Sequence, residues 1–262
     1  MGVAVQIAYT VSGLAVGFIV GLTGVGGGSL MTPLLVIVFG INPATAVGTD
    51  LLYASITKSA GAWVHAKRGN VDWKLVGALG SGSVPAAIVT LAVLHFLGVD
   101  SKSASGVITF SLGIAILLTA FALLFKSRLQ RLARGGERAR QWREQHAYKA
   151  TALTGAIIGV LVSLSSVGAG ALGVTALFWL FPAMATVRIV GSDIAHAVPL
   201  TAVAGLGHFA MGSVDLDLLG ALLLGSLPGI YIGSHLSHRV PEHWLRPMLA
   251  SILILVGGKL VW

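Results

Sequence analysis

The chain has 262 residues, 55% of them hydrophobic and only 10% charged, with a mean hydropathy of +0.89, far from the roughly 25% charged residues of soluble domains. Apolar runs of 18 or more residues recur along its length and leave no stretch for a soluble domain, so the composition is that of a polytopic membrane protein. There are no cysteines, which excludes disulfides, thiolate metal sites and thiol redox chemistry. The net charge of +8 is not a nucleic-acid footprint, because +6 of it comes from the eight Lys/Arg and two Glu between Lys126 and Lys149.

The start, Met1-Gly2-Val3-Ala4-Val5-Gln6, lacks the basic n-region of a signal peptide and is read as retained. Apolar segments cover about 3–22, 29–40, 44–66, 73–97 and 103–125, then 150–165, 170–182, 186–210, 215–237 and 244–261, five in each half. Between the first two lies Thr23-Gly24-Val25-Gly26-Gly27-Gly28, with four glycines in five residues; an echo, Ser165-Ser166-Val167-Gly168-Ala169-Gly170, divides the corresponding segments of the second half. Glycine permits positive φ and close approach to the main chain, so each knot predicts a break in a helix. A broken helix at membrane depth is tolerated only against protein or a cavity.

Shifting the first half by 143 positions lays residues 47–85 on 190–228 with 15 identities in 39, among them Asp50/Asp193, Ala54/Ala197, His65/His208, Asp72/Asp215 and Pro85/Pro228. A shift of 142 also aligns Gly13/Gly155, Gly17/Gly159, Gly26/Gly168 and Gly28/Gly170. The chain reads as an internal duplication: a first transmembrane repeat over 1–125, a basic cytoplasmic linker over 126–149 and a second repeat over 150–262. Segments 29–40 and 170–182 are too short to cross a hydrocarbon core of about 30 Å as helix. Each is expected to form a re-entrant or broken-helix hairpin with its predecessor, leaving three full spans per repeat. The fold class is therefore an all-α polytopic membrane protein. An odd number of crossings per half makes the two repeats inverted. Placing the 126–149 loop inside puts fourteen Lys/Arg on the cytoplasmic side and both termini outside.

On a helix advancing about 100° per residue, Ala54, Thr57, Lys58, Gly61 and His65 fall on one arc with Asp50, opposite Leu52, Ile56 and Trp63. The second half repeats the arc with Asp193, Ala197, Thr201, Ala204 and His208. Such a stripe faces the bundle interior, because a lipid-facing charge costs several kcal/mol. Asp50 and Asp193 read either as paired structural acids or as proton- or substrate-coupling groups, with Lys58 as a counter-charge for Asp50. His65 and His208 read as gating groups or as helix-end histidines. The short segments begin at the knots, so their unpaired N–H groups and positive dipole ends would converge at mid-membrane, where two helix starts can hold an anion. The substrate-binding candidates are Thr23, Gly24, Gly26, Gly27, Gly28, Thr49, Ser165, Ser166, Gly168, Gly170 and Ser192; the proton-coupling or gating candidates are Asp50, Lys58, His65, Asp193 and His208. The Gly13-xxx-Gly17-xxx-Gly21 spacing reads as helix packing. No P-loop or metalloprotease spacing occurs, and His235-xx-His238 lacks carboxylate partners, so no cofactor or metal is expected.

The Gly-rich segment running into Pro33, Val47-Gly48-Thr49, His65-xxx-Gly69-Asn70-Val71-Asp72, Gly82-Ser83-Val84-Pro85 and their degenerate second copies resemble the TauE/SafE family of sulfite exporters over nearly the whole chain outside 126–149. The resemblance implies a bacterial-type inner-membrane secondary transporter, not an enzyme, for small sulfur-containing anions such as sulfite or organosulfonates. Asp50 and Asp193, where the family often has Ser or Asn, and the reduced second knot depart from its pattern. Two rival readings remain: a cation/proton exchanger binding at Asp50 and Asp193, and a non-transporting membrane subunit. The expected partners are a small anion, the lipid bilayer and co-transported protons.

Overall fold

The computed structural model describes residues 3–23, 28–98, 102–133, 137–236 and 242–261. Among them are ten helices and no strand: α1 (Val3–Thr23), α2 (Gly28–Ile37), α3 (Pro43–Lys67), α4 (Trp73–Leu97), α5 (Lys102–Ala133), α6 (Glu137–Ser165), α7 (Ala171–Leu180), α8 (Thr186–Ala210), α9 (Leu216–Leu236) and α10 (Glu242–Val261). Six stretches are long and apolar enough to cross a membrane: Val3–Leu22, Trp73–Leu97, Ser105–Phe125, Gln141–Ser165, Thr186–Ala210 and Leu216–Leu236. Outward faces carry exposed Ile88, Phe96, Phe110, Leu224 and Leu255, an inversion of the soluble pattern that suits a lipid surround. The basic stretch forms no separate unit; its described residues extend α5 and α6.

Local sequence sets the helix boundaries. Asn42 caps α3, its side chain accepting from the Ala44 N–H at 2.9 Å, with Pro43 in the first turn where its missing donor costs nothing. Asp72 caps α4 by accepting from the N–H groups of Lys74 and Leu75. Gly69 and Gly212, at φ 68° and 76°, turn the chain out of α3 and α8.

At ten residues each, α2 and α7 reach only about 15 Å. The Tyr9 ring near the start of α1 meets Phe39, just beyond α2, at 4.9 Å, and Tyr148 of α6 meets Phe181, just beyond α7, at 5.5 Å. Each short helix thus returns the chain to the level of the earlier part of its long partner, as in a helical hairpin.

Helix pairing follows the duplication. Gly13, Gly17 and Gly21 lie in succession against the main chain of Leu222, Ser226 and Ile230, so α1 runs parallel to α9; Gly155 and Gly159 press in the same way on Leu79 and Ser83, so α6 runs parallel to α4. A Cβ on any of these glycines would fall on a carbonyl of the facing helix, which is the packing role their spacing predicts. Two pairs of equivalent helices, α3 with α8 and α5 with α10, pack antiparallel. The Asp215 N–H beyond α8 donates to Thr49 of α3 at 3.1 Å, while the Asp72 N–H beyond α3 donates to Ser192 of α8 at 2.8 Å. Gly113 meets Leu260 and Val261 whereas Leu117 meets Gly257, so α5 and α10 also run in opposite directions. Around α3 and α8 the core is fully buried Ala44, Val47, Leu51, Leu200 and Ala204.

Candidate functional site

The antiparallel α3–α8 pair carries the buried acids, and each acid faces the first turns of a short helix. Asp50 is fully buried. Its Oδ2 accepts a hydrogen bond from Thr32 Oγ1 of α2 at 2.5 Å, its Oδ1 has no partner, and the Ser166 hydroxyl stands nearby without bonding it. Asp193 is also buried, and its Oδ1 has no partner; that oxygen lies directly on the Cα of Gly173, in the first turn of α7, where only a hydrogen leaves it room. Lys58 reaches from α3 to the second knot, its Nζ donating to the Ala169 carbonyl at 2.8 Å. The counter-charge that the sequence assigned to Asp50 thus has its hydrogen bond at the knot, on the Ala169 carbonyl.

The second knot is a stretch of unusual backbone. Ser166 has φ 58°, Gly168 φ 125° and Gly170 φ 139°, the last two in territory that side chains avoid. Ser165 ties the α6 end down: its hydroxyl donates to the Leu161 carbonyl at 2.5 Å and accepts from the Val167 N–H at 3.1 Å. Beyond it, Gly170 caps α7 without a side-chain hydrogen bond, so the positive end of α7 opens beside Asp193 with no oxygen of its own capping residue.

The other expected residues fall in three places. Thr49 and Ser192 have hydroxyls engaged by the turns after the opposite helix, so they lock the α3–α8 register. His65 and His208 lie in the last turns of α3 and α8, 15 residues or about 22 Å along the helix from their own acids. His208 Nε2 bonds the Ser163 carbonyl at 3.0 Å, and His65 Nδ1 packs beside Gly191. Thr23 ends α1 and Gly28 begins α2, whereas Gly24, Gly26 and Gly27 lie outside the described residues.

One buried pair escaped sequence reasoning. His196, one turn beyond Asp193, bonds Ser83 of α4 through Nε2 at 2.7 Å. Its counterpart under the shift of 143 is Tyr53, which lies near Ser226 of α9, the counterpart of Ser83. The signal was present, since His196 stands at i+3 from Asp193 and Ser83/Ser226 are among the identities, but the periodicity of one helix does not reveal a contact made 113 residues away.

Chemically, two clusters flank the second knot, Asp50 with the Thr32 and Ser166 hydroxyls on one side and Asp193 at the start of α7 on the other, with the Lys58 ammonium on the knot itself. Among the described residues no group of three or more His, Asp or Glu could hold a metal ion. A multi-helix membrane protein with short broken helices meeting buried charge has the build of a membrane transporter.

Comparison with known proteins agrees. The chain belongs to the sulfite exporter TauE/SafE family, whose model matches residues 9–260. It is 41% identical over 259 residues to the probable membrane transporter protein YjnA of Bacillus subtilis, covering 98% of this chain and 100% of that one. It is 27% identical to YdhB of the same organism, with 91% and 96% covered, and 27% identical to MJ0441 of Methanocaldococcus jannaschii, with 93% and 92% covered; both are named probable membrane transporter proteins. No solved structure matches the chain.

Proposed function

We propose that this protein is a secondary transporter of small sulfur-containing anions, sulfite, an organosulfonate or a similar species, coupled to protons and working by alternating access around the meeting point of α2, α3, α7 and α8. The observation that carries the reading is the seating of Asp193 at the start of α7, which has no side-chain cap, with Lys58 reaching the adjacent knot. In the structure, a carboxyl group occupies the place that a helix start and an ammonium make favourable for an anion. A carboxylate held away from water needs a counter-charge or a proton. When Asp193 takes a proton it releases Lys58 and the α7 start to an incoming anion, and when the anion leaves it can ionise again. Proton and anion then bind cooperatively, and each raises the affinity for the other.

The antiparallel packing of equivalent helices supports an inverted repeat, and the two ring contacts at the hairpins support re-entrant α2 and α7. With the basic end of α5 and α6 inside, both termini are external in a bacterial-type inner membrane. The repeats then divide at the 126–149 linker, which supplies eight of the fourteen cytoplasmic Lys/Arg; Lys67, Arg68 and Arg188 are among the other six. The candidates at the second knot and the two acids keep their proposed roles, whereas Thr49 and Ser192 act through the α3–α8 register.

The test is a thermal-shift panel on purified protein with sulfite, sulfate, thiosulfate and sulfoacetate, followed by proton-gradient-driven uptake of any stabilising anion into proteoliposomes. A ligand at 100 times its Kd stabilises by about 2.7 kcal/mol. Asp193→Asn should retain anion stabilisation while transport loses its rise at low pH. The unpartnered oxygens of both acids also suit a cation/proton exchanger. Stabilisation by sodium or potassium with no response to any anion would establish that reading and end the anion proposal.

A further inference from the structure

Away from the acids, a cleft of about 990 Å³ opens where α6, the α7–α8 connection and the start of α8 meet; Arg143, Glu144, Tyr148, Phe181, Met184 and Arg188 are among its walls. Arg143 is only 7% exposed, yet among the described residues no carboxylate lies within ion-pair distance of it. Burying a guanidinium without a partner is costly. Arg188 gives one nitrogen to Asp72 at 3.3 Å and keeps its remaining donors, with its side chain about half exposed. α8 begins at the same place without a side-chain cap on Ala185, so a positive dipole end adds to two guanidiniums opposed on the walls by the single carboxylate of Glu144. The other half of the lining is apolar, with Tyr148 edge-on to Phe181. Trp142 and Trp179, next in sequence to the lining residues Arg143 and Leu180, stand 6.0 Å apart and exposed, the placement of aromatic side chains at a membrane–water interface.

The duplication separates what the fold requires from what is added. The corresponding corner of the first half has Phe39 at the position of Phe181, with Tyr9 packed on it. Neither α1 nor residues 38–45 contains an arginine or lysine, and Thr45 stands where α8 has Arg188. The scaffold closes that corner with Thr45 in place of a guanidinium, so Arg188 is not there to hold the hairpin together.

We propose that this cleft binds an amphiphilic oxyanion, a phosphate-type head on the two arginines and the start of α8 with its apolar part against Phe181 and Met184. A guanidinium fork matches such a head bidentately, and the volume lies within the range of small-molecule sites. The chemistry is shared by free alkyl phosphates and by the headgroup region of anionic lipids. The site is independent of the transport reading, because it uses none of the residues around Asp193.

Hexyl phosphate, titrated calorimetrically into the protein in phosphatidylcholine nanodiscs, should bind saturably, and inorganic phosphate at least tenfold more weakly. Arg143→Gln and Arg188→Gln should each weaken hexyl phosphate at least tenfold, while Asp193→Asn leaves it unchanged. Where Arg143→Gln fails to fold, Arg143→Lys keeps the charge without the fork, and it and Phe181→Ala should still weaken binding. Nanodiscs of phosphatidylglycerol identify the source: loss of hexyl phosphate binding there means a lipid headgroup holds the site, and retention means a free solute. Binding unchanged in the Arg188→Gln and Phe181→Ala variants, equal affinity for inorganic phosphate, or absence of saturable binding in phosphatidylcholine would each overturn the proposal. Failure of Asp193→Asn to alter transport would bear on the transport reading alone.

Discussion

At Gly173 a single hydrogen atom separates the α7 backbone from Asp193 Oδ1; a methyl group there would overlap the carboxyl oxygen, while its other neighbour, Ile158, sits at an ordinary 3.6 Å. Gly173→Ala should therefore displace the acid and leave the surrounding packing in place. The expected outcome is a protein that purifies with a wild-type elution profile and has lost at least tenfold in proton-driven transport in proteoliposomes. Wild-type transport in this variant would remove Asp193's position from the mechanism. Thr32→Val tests the opposite acid. It leaves Asp50 Oδ2 without its donor inside a fully buried site, which costs about 1–3 kcal/mol and should appear as a lower melting temperature. The two acids were legible from the sequence because a carboxylate in the middle of an apolar helix has few explanations. Their neighbours were less so: Thr32 and Gly173 carry no charge and no periodic signal, and they matter only through the angle at which α2 and α7 arrive.

Among the elements, the glycines divide into those that face another backbone and those that face open space. Gly159 of α6 lies on the main chain of Ser83, and Gly17 of α1 on that of Ser226, whereas nothing lies within 4 Å of a Cβ on Gly77 in the second turn of α4. Gly159→Leu and Gly17→Leu should force α6 from α4 and α1 from α9, lowering the melting temperature or abolishing folding, because cores tolerate little overpacking. Gly77→Ala should be neutral or stabilise by about 0.5–1 kcal/mol through helix propensity. Similar melting temperatures for all three would contradict the parallel helix pairs. Gly168→Leu belongs with neither group: space exists around it, but φ 125° is denied to a leucine, so the damage should fall on anion binding at the knot. The small-xxx-small spacing announced close packing from the sequence alone. It could not say with which helix, since α1 meets α9 across the whole chain, and that pairing is a property of how the halves interlock.

For the molecule as a whole, the decisive property is the opposite sense of equivalent helices. The turns after α3 and α8 carry matched signatures, Gly69 and Gly212 at positive φ followed by capping Asp72 and Asp215, and each is pinned to the start of the other helix by Ser192 or Thr49. Because α3 and α8 are antiparallel, these two turns lie at opposite ends of the pair. If both helices span the bilayer, Gly69 and Gly212 must face opposite compartments, and the charge beside them, Lys67 and Arg68 against none within the Phe209–Val214 turn, puts Gly69 inside. Both positions have open space for a side chain, with a backbone cost on the order of 1 kcal/mol for leaving glycine at positive φ. In this cysteine-free chain a single Gly212→Cys should react with an impermeant thiol reagent on intact cells, and a single Gly69→Cys should react only after permeabilisation. The reverse pattern would turn the protein over in the membrane while preserving the proposed inverted repeat. Equal labelling of both in intact cells would place the two turns on one side, which antiparallel spanning helices cannot do, and would end the alternating-access model built on them.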